Sequence, residues 1–371
     1  MKLGQFITQI RGVSYKPSDV TTNENGLPIL RANNINNDEM NFEDLIYINP
    51  LKIKENQLLK PGDIFVCASS GSKSLVGKAC PYKRYDSNIA FGAFCKVIRI
   101  NDLNDINADF IRLFFRSNFY REQISELSMG ANINNIKSED IDNLNINIPS
   151  IETQNEAVFI LNNLIGALNN KKKEFLLFDE MIKSRFIEQF SKYSKIELYK
   201  VAKIVMGQSP DSASYNDEGN GLPFFQGKAD YGDKFTVVNH FTTKPTKIAE
   251  QYSVLMSVRA PVGPVNIANV RCCIGRGLCS IDALEGITNN EFLYNALNAM
   301  QNEISSKGTG STFNAINKND VYNLMVPNAP IGEQNLFSEF AQLIDNSKFI
   351  VQQQIKELQE LLDSKMDEYF R

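Results

Sequence analysis

The sequence predicts an α+β protein in which two repeated domains are separated by two long antiparallel coiled-coil helices, with pseudo-two-fold symmetry. Three observations support this prediction. The pattern Gly…Gly-Leu-Pro occurs at 12–28 and again at 207–223, an offset of 195 residues. Residues 124–155 align without a gap with 304–335, and 11 of these 32 positions are identical. Two long segments without proline carry apolar residues at helical spacing.

Each copy of the repeat shows the same order of elements. A strand-and-turn region rich in Gly, Pro, Asn and Asp comes first, and a short helical piece follows at 109–124 and at 290–304. A glycine-containing loop, a last strand (143–149 and 323–327) and a long helix complete the copy. The predicted domain organisation is a first domain at 1–150, a first spacer helix at 151–194, a second domain at 195–330 and a second spacer helix at 331–371.

The two copies differ in the lengths of their loops. Their offset falls from 195 to 180 residues along the chain, so the second copy has the shorter loops. Within this alignment 91–97 resembles 275–281, which places Cys95 opposite Cys279. Because the period has the size of a domain, the repeat indicates a duplicated domain and not a solenoid.

The two long helical segments, near 152–190 and 333–370, each carry one apolar stripe. A stripe of this length needs a partner, and the other helix of the same chain is the nearest one. We expect the helices to pair along these residues: Val351, Ile355, Leu358 and Leu362 on one, and Leu161, Ile165, Leu168 and Phe175 on the other. Two separate helices, each packed on its own domain, are the alternative.

Composition indicates a globular protein with 43% hydrophobic and 22% charged residues and a net charge of −4. The acidic excess lies in 331–371, which has 4 basic and 8 acidic residues, whereas 251–281 has three arginines and no acid. Six cysteines without a C-x-x-C pair predict buried free thiols in a reducing cytoplasm. With His240 as the only histidine, we expect neither a metal site nor histidine-based catalysis. No apolar run is long enough for a membrane helix, and the N-terminus is not a signal peptide.

Catalytic motifs are not found in the sequence. The segment 71–78 resembles a phosphate loop, but five residues separate its glycines and Ala79 follows in place of Ser or Thr. Residues 308–313 lack the third glycine of a dinucleotide fingerprint. The chain has no Asn-Pro-Pro-aromatic tetrapeptide of an amino-methyltransferase and no Glu-x-Lys of a nuclease. We therefore expect that the chain is not an enzyme by itself.

The duplicated domain with a long helix after each copy resembles the DNA-specificity subunit of type I restriction–modification systems. The resemblance covers essentially the whole chain. The phrases that carry it are MGQSPDSASYNDEGNGLPFFQGKADYGD, SVRAPVG with IGRGL, and the Pro…Gln pattern that precedes each long helix. The second copy matches closely. The first departs, with SYKPSD, ASSGSKSLVG and Thr153 at the corresponding places, as expected if each copy recognises a different half-site.

The resemblance implies that each domain is a target-recognition domain that contacts a few base pairs of double-stranded DNA. It also implies two methyltransferase (modification) subunits as partners, with restriction subunits joining the same core in phage defence. The chain itself would hold no cofactor, because S-adenosylmethionine would be bound by the methyltransferase subunits, which flip the target adenine. A helix of 38 residues is roughly 57 Å long, enough to separate two sites by more than one DNA turn of roughly 34 Å.

Candidate DNA-contacting residues are the basic, amide and hydroxyl side chains of the polar loops. Arginine and lysine suit guanine and phosphate, amides suit adenine, and serine suits phosphate. The candidates are Arg31, Asn33, Asn34, Ser69, Ser70, Ser72, Lys73, Lys78, Lys83 and Arg84 in the first copy, and Gln226, Lys228, Arg259 and Arg276 in the second. Simple solvation is the alternative for each. We interpret Gly12, Gly207, Pro28 and Pro223 as residues that shape the backbone.

Two other functions are compatible with the sequence. One is a scaffold or adaptor whose helices and domains bind protein partners. The other is an enzyme with an unrecognised site. Salt-dependent binding to duplex DNA in the presence of a methyltransferase would favour specific DNA recognition over both.

Overall fold

The computed structural model describes residues 1–36, 39–72, 75–83, 88–129, 135–307 and 315–371. These residues form two compact units. Unit 1 combines 1–171 with 354–371, and unit 2 is 172–353. The first copy of the repeat therefore lies in unit 1 and the second in unit 2, while each long helix contributes one half to each unit.

Unit 1 contains two four-stranded sheets and a short hairpin. Its strands are β1 (Ile7–Arg11), β2 (Val20–Thr21), β3 (Leu27–Leu30), β4 (Ile35–Asn36), β5 (Glu39–Met40), β6 (Ile46–Ile48), β7 (Ile64–Cys67), β8 (Ala79–Pro81), β9 (Ala90–Phe91) and β10 (Cys95–Ile100). The sheet orders are β1-β10-β7-β8 and β2-β6-β3-β9, and β4 pairs with β5. The helices are α1 (Ala108–Phe114), α2 (Asn118–Met129), α3 (Ser138–Asp142) and the first half of α4 (Ile151–Phe190).

Unit 2 repeats this plan. Its strands are β11 (Lys195–Glu197), β12 (Ala202–Met206), β13 (Tyr215–Asn216), β14 (Leu222–Phe225), β15 (Phe241–Thr242), β16 (Ile248–Ala249), β17 (Val254–Ser257), β18 (Val265–Ile267), β19 (Cys272–Ile274), β20 (Leu278–Ala283) and β21 (Met325–Pro327). The helices are α5 (Leu198–Val201), α6 (Asn290–Ala299), α7 (Gln301–Ser306), α8 (Lys318–Tyr322) and α9 (Ile331–Phe370). The order β12-β20-β17-β18 matches β1-β10-β7-β8, and β13-β15-β14-β19 matches β2-β6-β3-β9.

The central strand of the first sheet in each copy is buried on both faces. Every residue of β7 and every residue of β17 is buried, because helices cover one face and the second sheet region covers the other. Such strands need continuous apolar sequence, which "IFVC" and "VLMS" supply. Each copy contains one parallel pair of strands, β3 with β9 in the first copy and β14 with β19 in the second.

The backbone pairing corrects the predicted alignment of the two matching cysteines by one residue. The amide of Gly92 donates to the end of β3 at 2.9 Å, and the amide of Gly275 donates to the end of β14 at 2.8 Å. Gly92 and Gly275 are therefore equivalent, so Cys279 corresponds to Lys96 and not to Cys95. The shared cysteine gave a wrong register, and a slip of one residue in a strand exchanges its two faces.

The predicted last strand forms in one copy only. In unit 2, β21 pairs with β11, whereas in unit 1 only Asn145 forms an isolated bridge, with Lys2. The single bridge is formed by Leu3 N, which donates to Leu144 O at 2.9 Å, and by Ile146 N, which donates to Met1 O at 3.0 Å. The backbone groups of Asn145 itself point to the other side, where its amide donates to Gln123 Oε1 at 2.7 Å and its carbonyl accepts from Gln123 Nε2 at 3.0 Å.

The two long helices pack against each other within each unit, as predicted. In unit 1 one apolar cluster unites α4 with the end of α9; it includes Leu161, Ile165 and Leu168 with Ile355, Leu358 and Leu362. In unit 2 a second cluster unites the end of α4 with the start of α9; it includes Ile182, Phe186 and Phe190 with Phe337, Phe340 and Ala341. The alternative of two separate helices, each packed only on its own domain, is therefore wrong.

A buried glutamine fixes the start of each long helix. The Gln154 side chain donates to Pro149 O and Asp105 O and accepts from the Asn107 amide at 2.9 Å. Gln334 donates to Ala329 O and Ile287 O in the same way. The Pro…Gln pattern is thus a device that attaches the helix start to the loop before α1 or α6, whose backbone groups would otherwise lack partners.

All six cysteines are buried and lie outside any disulfide, which confirms the prediction of buried thiols. Burial raises the pKa of the Cys67 thiol to about 11 and that of Cys279 to about 12. Within the described residues, no cluster of three or more His, Cys, Asp or Glu side chains is placed to hold a metal ion. In the same part of the chain, no helix is sufficiently long and apolar to span a membrane.

Candidate nucleic-acid interface

Four loops of the first copy meet beside the ends of β1, β3, β7 and β10. Backbone hydrogen bonds hold them together: Ala93 N donates to Val13 O at 3.0 Å, and Ser69 N donates to Phe94 O at 2.9 Å. The turn after β3 joins through the Gly92 amide described above. The sheet therefore supplies a rigid base, and the loops present their side chains from it.

The second copy assembles the same four loops. Gln208 N donates to Ile274 O at 3.0 Å, and Val258 N donates to Gly277 O at 2.9 Å. Ala315, which follows α7 in the chain, forms an antiparallel bridge with Arg259, as Asn135 does with Ser69 in the first copy. The two copies thus share the backbone hydrogen bonds that join these loops, which we call the loop frame, and carry different side chains at equivalent positions.

Gly12 and Gly207 are required by close backbone approach. A Cβ atom at Gly12 would lie 2.1 Å from Gly92 O, and a Cβ atom at Gly207 would lie 2.1 Å from Gly275 O. These contacts confirm the interpretation of both glycines as backbone-shaping residues. They also explain why the repeated pattern begins with glycine.

The loops of the first copy enclose a cleft of about 640 Å³. It brings together four of the predicted residues with one exposed aromatic side chain; its lining includes Arg31, Asn33, Ser69, Ser70 and Phe94. The Phe94 side chain is 71% exposed. This combination offers hydrogen-bond donors and an apolar contact, the two kinds of group that recognise base edges in the major groove.

Two of these side chains are tied to one acid. Arg31 donates from Nη2 to Asp44 Oδ2 at 3.1 Å, and Asn33 lies 3.4 Å from the same oxygen. Asn34 differs from both because it is buried. Its side chain accepts from the Arg31 amide at 2.8 Å and donates to the carbonyls of Asn41 and Glu43, so it closes the turn.

The remaining candidates of the first copy lie apart from this cleft or outside the described residues. Ser72 is exposed in the loop after β7, and its amide donates to Ser70 Oγ at 3.2 Å. Lys78 is half-buried just before β8. Lys83 is exposed and lines a different cleft, with Glu39. Lys73 and Arg84 are outside the described residues.

In the second copy the structure brings all four predicted residues to one exposed surface, formed by Gln226, Lys228, Arg259 and Arg276. Gln226 packs against the glycines on both sides of Arg276: a Cβ atom at Gly277 would lie 2.3 Å from Gln226 O. Arg259 follows the residue that bonds to Gly277. Within the described part of the chain, the three cations of this surface have no carboxylate partner. Their charge is therefore available to a ligand.

The turn that carries Lys228 is closed from inside. Buried Asp230 accepts from the amides of Gln226 at 2.6 Å and Gly227 at 3.2 Å. It does for this turn what Asn34 does for the turn after β3. Both turns therefore combine one buried polar side chain that sets the backbone with exposed side chains that face solvent.

Three residues close to this interface were not predicted from the sequence. Arg11, Lys96 and Lys137 line a second cleft of about 500 Å³ that shares Ala93 and Cys95 with the first. Finding Lys96 requires the correct register of β10, because only that register places Lys96 opposite Arg11. Phe94 was also missed, since an exposed aromatic residue in a strand-rich segment looks like a core residue in sequence.

Comparison with known proteins supports a role in DNA recognition. Residues 1–177 and 191–360 match the family described as type I restriction modification DNA specificity domain. The type I restriction enzyme MjaX specificity subunit of Methanocaldococcus jannaschii is 32% identical over 86% of this chain and 81% of its own length. The StySPI specificity subunit of Salmonella potsdam is 39% identical over 47% of this chain and 38% of its own length.

Solved structures agree with the family match. One chain, described for complex assembly and conformational transition of the type I restriction–modification system, is 26% identical with a TM-score of 0.62, covering 100% of this chain and 99% of its own. The S subunit of the type I system of M. genitalium shares the fold, with 15% identity, a TM-score of 0.56 and coverage of 100% and 95%.

The chain belongs to the DNA-specificity family of type I restriction–modification systems. Its predicted α+β fold of two repeated domains with two long helices is confirmed. Its predicted role as the DNA-recognition subunit, with catalysis in partner subunits, is confirmed by the same matches, and the adaptor alternative is not favoured.

Proposed function

We propose that the chain recognises a bipartite DNA sequence, with one copy of the repeat contacting each half-site. The duplicated loop frame carries this proposal. It presents arginine, asparagine, serine and phenylalanine in the first copy, and glutamine, lysine and two arginines in the second. Identical frames with different donors suit two half-sites of different sequence.

The contacting residues that we propose in the first copy are Arg31, Asn33, Ser69 and Ser70, which line one cleft. Ser72, Lys78 and Lys83 are proposed as further phosphate contacts, together with Lys73 and Arg84, which are proposed from the sequence alone. In the second copy they are Gln226, Lys228, Arg259 and Arg276. Asn34 is left out of this set because its buried side chain is already used by the turn. Arginine and glutamine suit guanine and adenine edges, and lysine and serine suit phosphates.

We propose two modification subunits as partners and the cytoplasm as the place of action, in phage defence. Exposed apolar side chains on the long helices support a protein partner. In unit 2, Leu336, Leu343 and Ile350 of α9 are 57–66% exposed and recur every seven residues, the spacing of a coiled-coil seam. The modification subunits would bind S-adenosylmethionine and methylate the target adenine, and restriction subunits would join the same core.

Methylation mapping tests this function. The gene is expressed with the genes of its modification subunits in a host without adenine methylation, and modified bases are mapped across the host genome. We expect one bipartite sequence with an unspecified gap. The chain alone should methylate nothing. Methylation of a continuous sequence, or an unchanged pattern without this chain, would contradict the proposal.

A further inference from the structure

Two positively charged side chains face each other across neighbouring strands of the first copy. In the antiparallel pair β1–β10, Arg11 lies directly opposite Lys96. Like charges in directly opposite positions destabilise a sheet. The pair therefore needs a compensating negative charge, or it lowers the stability of the fold.

Lys96 is buried without an acidic partner. Its residue is 8% exposed, and its ammonium donates to Ser138 Oγ at 3.1 Å and lies 3.4 Å from Gln9 Oε1. Among the described residues, no carboxylate forms an ion pair with it; the nearby Asp142 accepts from Gln9 instead, at 2.7 Å. Buried lysines are rare unless paired. Burial and, to a smaller extent, the charge of Arg11 lower the pKa of Lys96, and the weaker opposite effects of Asp140 and Asp142 do not cancel this lowering.

The second copy shows that the fold does not require these charges. The equivalent cross-strand pair is Met206 opposite Cys279, which are uncharged. The same backbone thus accommodates two apolar residues at this place. The charged pair is a property of the first copy alone.

The pair lines a cleft next to the first one, which is lined by Arg31, Asn33 and Phe94. Arg11, Lys96 and Lys137 line it, against one acid, Glu139, so its lining has an excess of two positive charges. Its volume is about 500 Å³, which is sufficient for a phosphodiester group and its neighbouring sugars. Ser14 belongs to both clefts, so an anion held here would lie beside a molecule bound in the other.

We propose that Lys96, together with Arg11 and Lys137, binds a backbone phosphate of the half-site that the first copy recognises. The proposal rests on the DNA-recognition function above and adds a site that exists in one copy only. A phosphate oxygen would supply a negatively charged acceptor for the ammonium, beside the neutral oxygens of Ser138 and Gln9, and would offset the repulsion between Lys96 and Arg11. Phosphate contacts of this kind position the protein on the duplex and contribute no base recognition themselves.

The test compares Lys96→Met with Lys60→Met in the full chain assembled with its modification subunits. Lys60 is an exposed lysine before the opposite end of β7, so its variant makes the same charge change away from both clefts. For Lys96→Met we expect the affinity for target duplex to fall on the order of tenfold. The slope of log affinity against log salt should become less steep by about 0.9. Lys60→Met should keep both values.

Thermal stability distinguishes this role from a structural one. Removing a buried, unpaired ammonium should leave the Tm of the free chain unchanged or higher. A lower Tm for Lys96→Met, with the wild-type salt slope retained, would show that the lysine serves the fold and would overturn the proposal. A wild-type complex that binds no specific duplex would instead contradict the proposed function.

Neutral methylphosphonate linkages identify the source of the anion. The linkages are placed one at a time along the first half-site. At one position the linkage should lower the affinity of the wild type about as much as Lys96→Met does, and at that position it should not lower the affinity of the variant further. If no position behaves this way, the proposal fails. The proposal also fails if every methylphosphonate duplex binds normally and inorganic phosphate, at matched ionic strength, raises the Tm of the wild type but not that of Lys96→Met. The site would then hold a free anion.

Discussion

Gly12 and Gly207 illustrate, at the scale of single residues, how the two copies keep one frame. Each glycine begins the first loop of its interface and lies against a carbonyl oxygen of the loop before β10 or β20. The side chains that follow on this frame differ between the copies. The glycine at this close approach is thus the same in both copies, whereas the side chains that face solvent are not.

Gly207→Ala tests the close approach. The added methyl group would lie 2.1 Å from Gly275 O and 2.7 Å from Leu278 O, so the backbone must move. We expect a loss of about 3 kcal/mol in the free energy of unfolding, together with weaker binding to target DNA. Gly166→Ala is the control: it lies in α4 with no atom within 4 Å of the added Cβ, and should gain up to about 1 kcal/mol. Urea unfolding of the two variants decides, and equal stability would refute the requirement for glycine.

The long helices depend on polar contacts at their starts as well as on their apolar stripes. Gln154 and Gln334 are buried and have equivalent partners in the two copies. In unit 2 a further polar network joins Asp345 of α9 to Glu291 of α6 through Lys234, whose side chain is 12% exposed. These contacts fix where each helix lies on its unit, which an apolar stripe alone leaves free to slide.

Gln334→Ala should destabilise unit 2 by about 2 kcal/mol, because it leaves the carbonyls of Ala329 and Ile287 and the Thr288 hydroxyl without partners. Gln352→Ala, an exposed position on the same helix, should change stability by less than about 0.5 kcal/mol. Chemical denaturation followed by circular dichroism measures both. A small effect at Gln334 would show that the helix start does not depend on this side chain.

Lys234→Met should cost about 3 kcal/mol, since it leaves Glu291 and Asp345 largely buried and mutually repelling. The matched control is Lys356→Met, whose pair with Glu360 is exposed and contributes at most about 1 kcal/mol. The expected order fails if the two lysine variants unfold at the same urea concentration.

The elements differ in how far the sequence determines them. The helices near 152–190 and 333–370 were predicted within two residues, because a long apolar stripe after a proline turn has few alternatives. The predicted register of β10 against β20 was wrong by one residue. Cys95 was aligned with Cys279 because they are identical, and strands that are apolar on both faces offered no alternation to correct it. The cleft with Lys96 could not be predicted for the same reason: it depends on which residue lies opposite Arg11.

For the whole molecule, we propose that helix length sets the gap between the half-sites. Each long helix has 40 residues, roughly 60 Å at 1.5 Å per residue. Inserting four residues near Asn169 and Asn170 adds about 6 Å and nearly one turn, which keeps the apolar face. We expect the gap in the methylated sequence to lengthen by about one or two base pairs, at about 3.4 Å each. An active variant with the original gap would show that the helices do not set the spacing.

The central claim is that each copy recognises its own half-site, and a domain replacement tests it most directly. Residues 1–150 are replaced by the corresponding domain of a relative with a known target, and the variant is expressed with the modification subunits. Methylated bases are then mapped. We predict a methylated sequence in which one half-site is new while the other half-site and the gap are unchanged. A change in both half-sites, or in neither, would contradict independent recognition by the two copies.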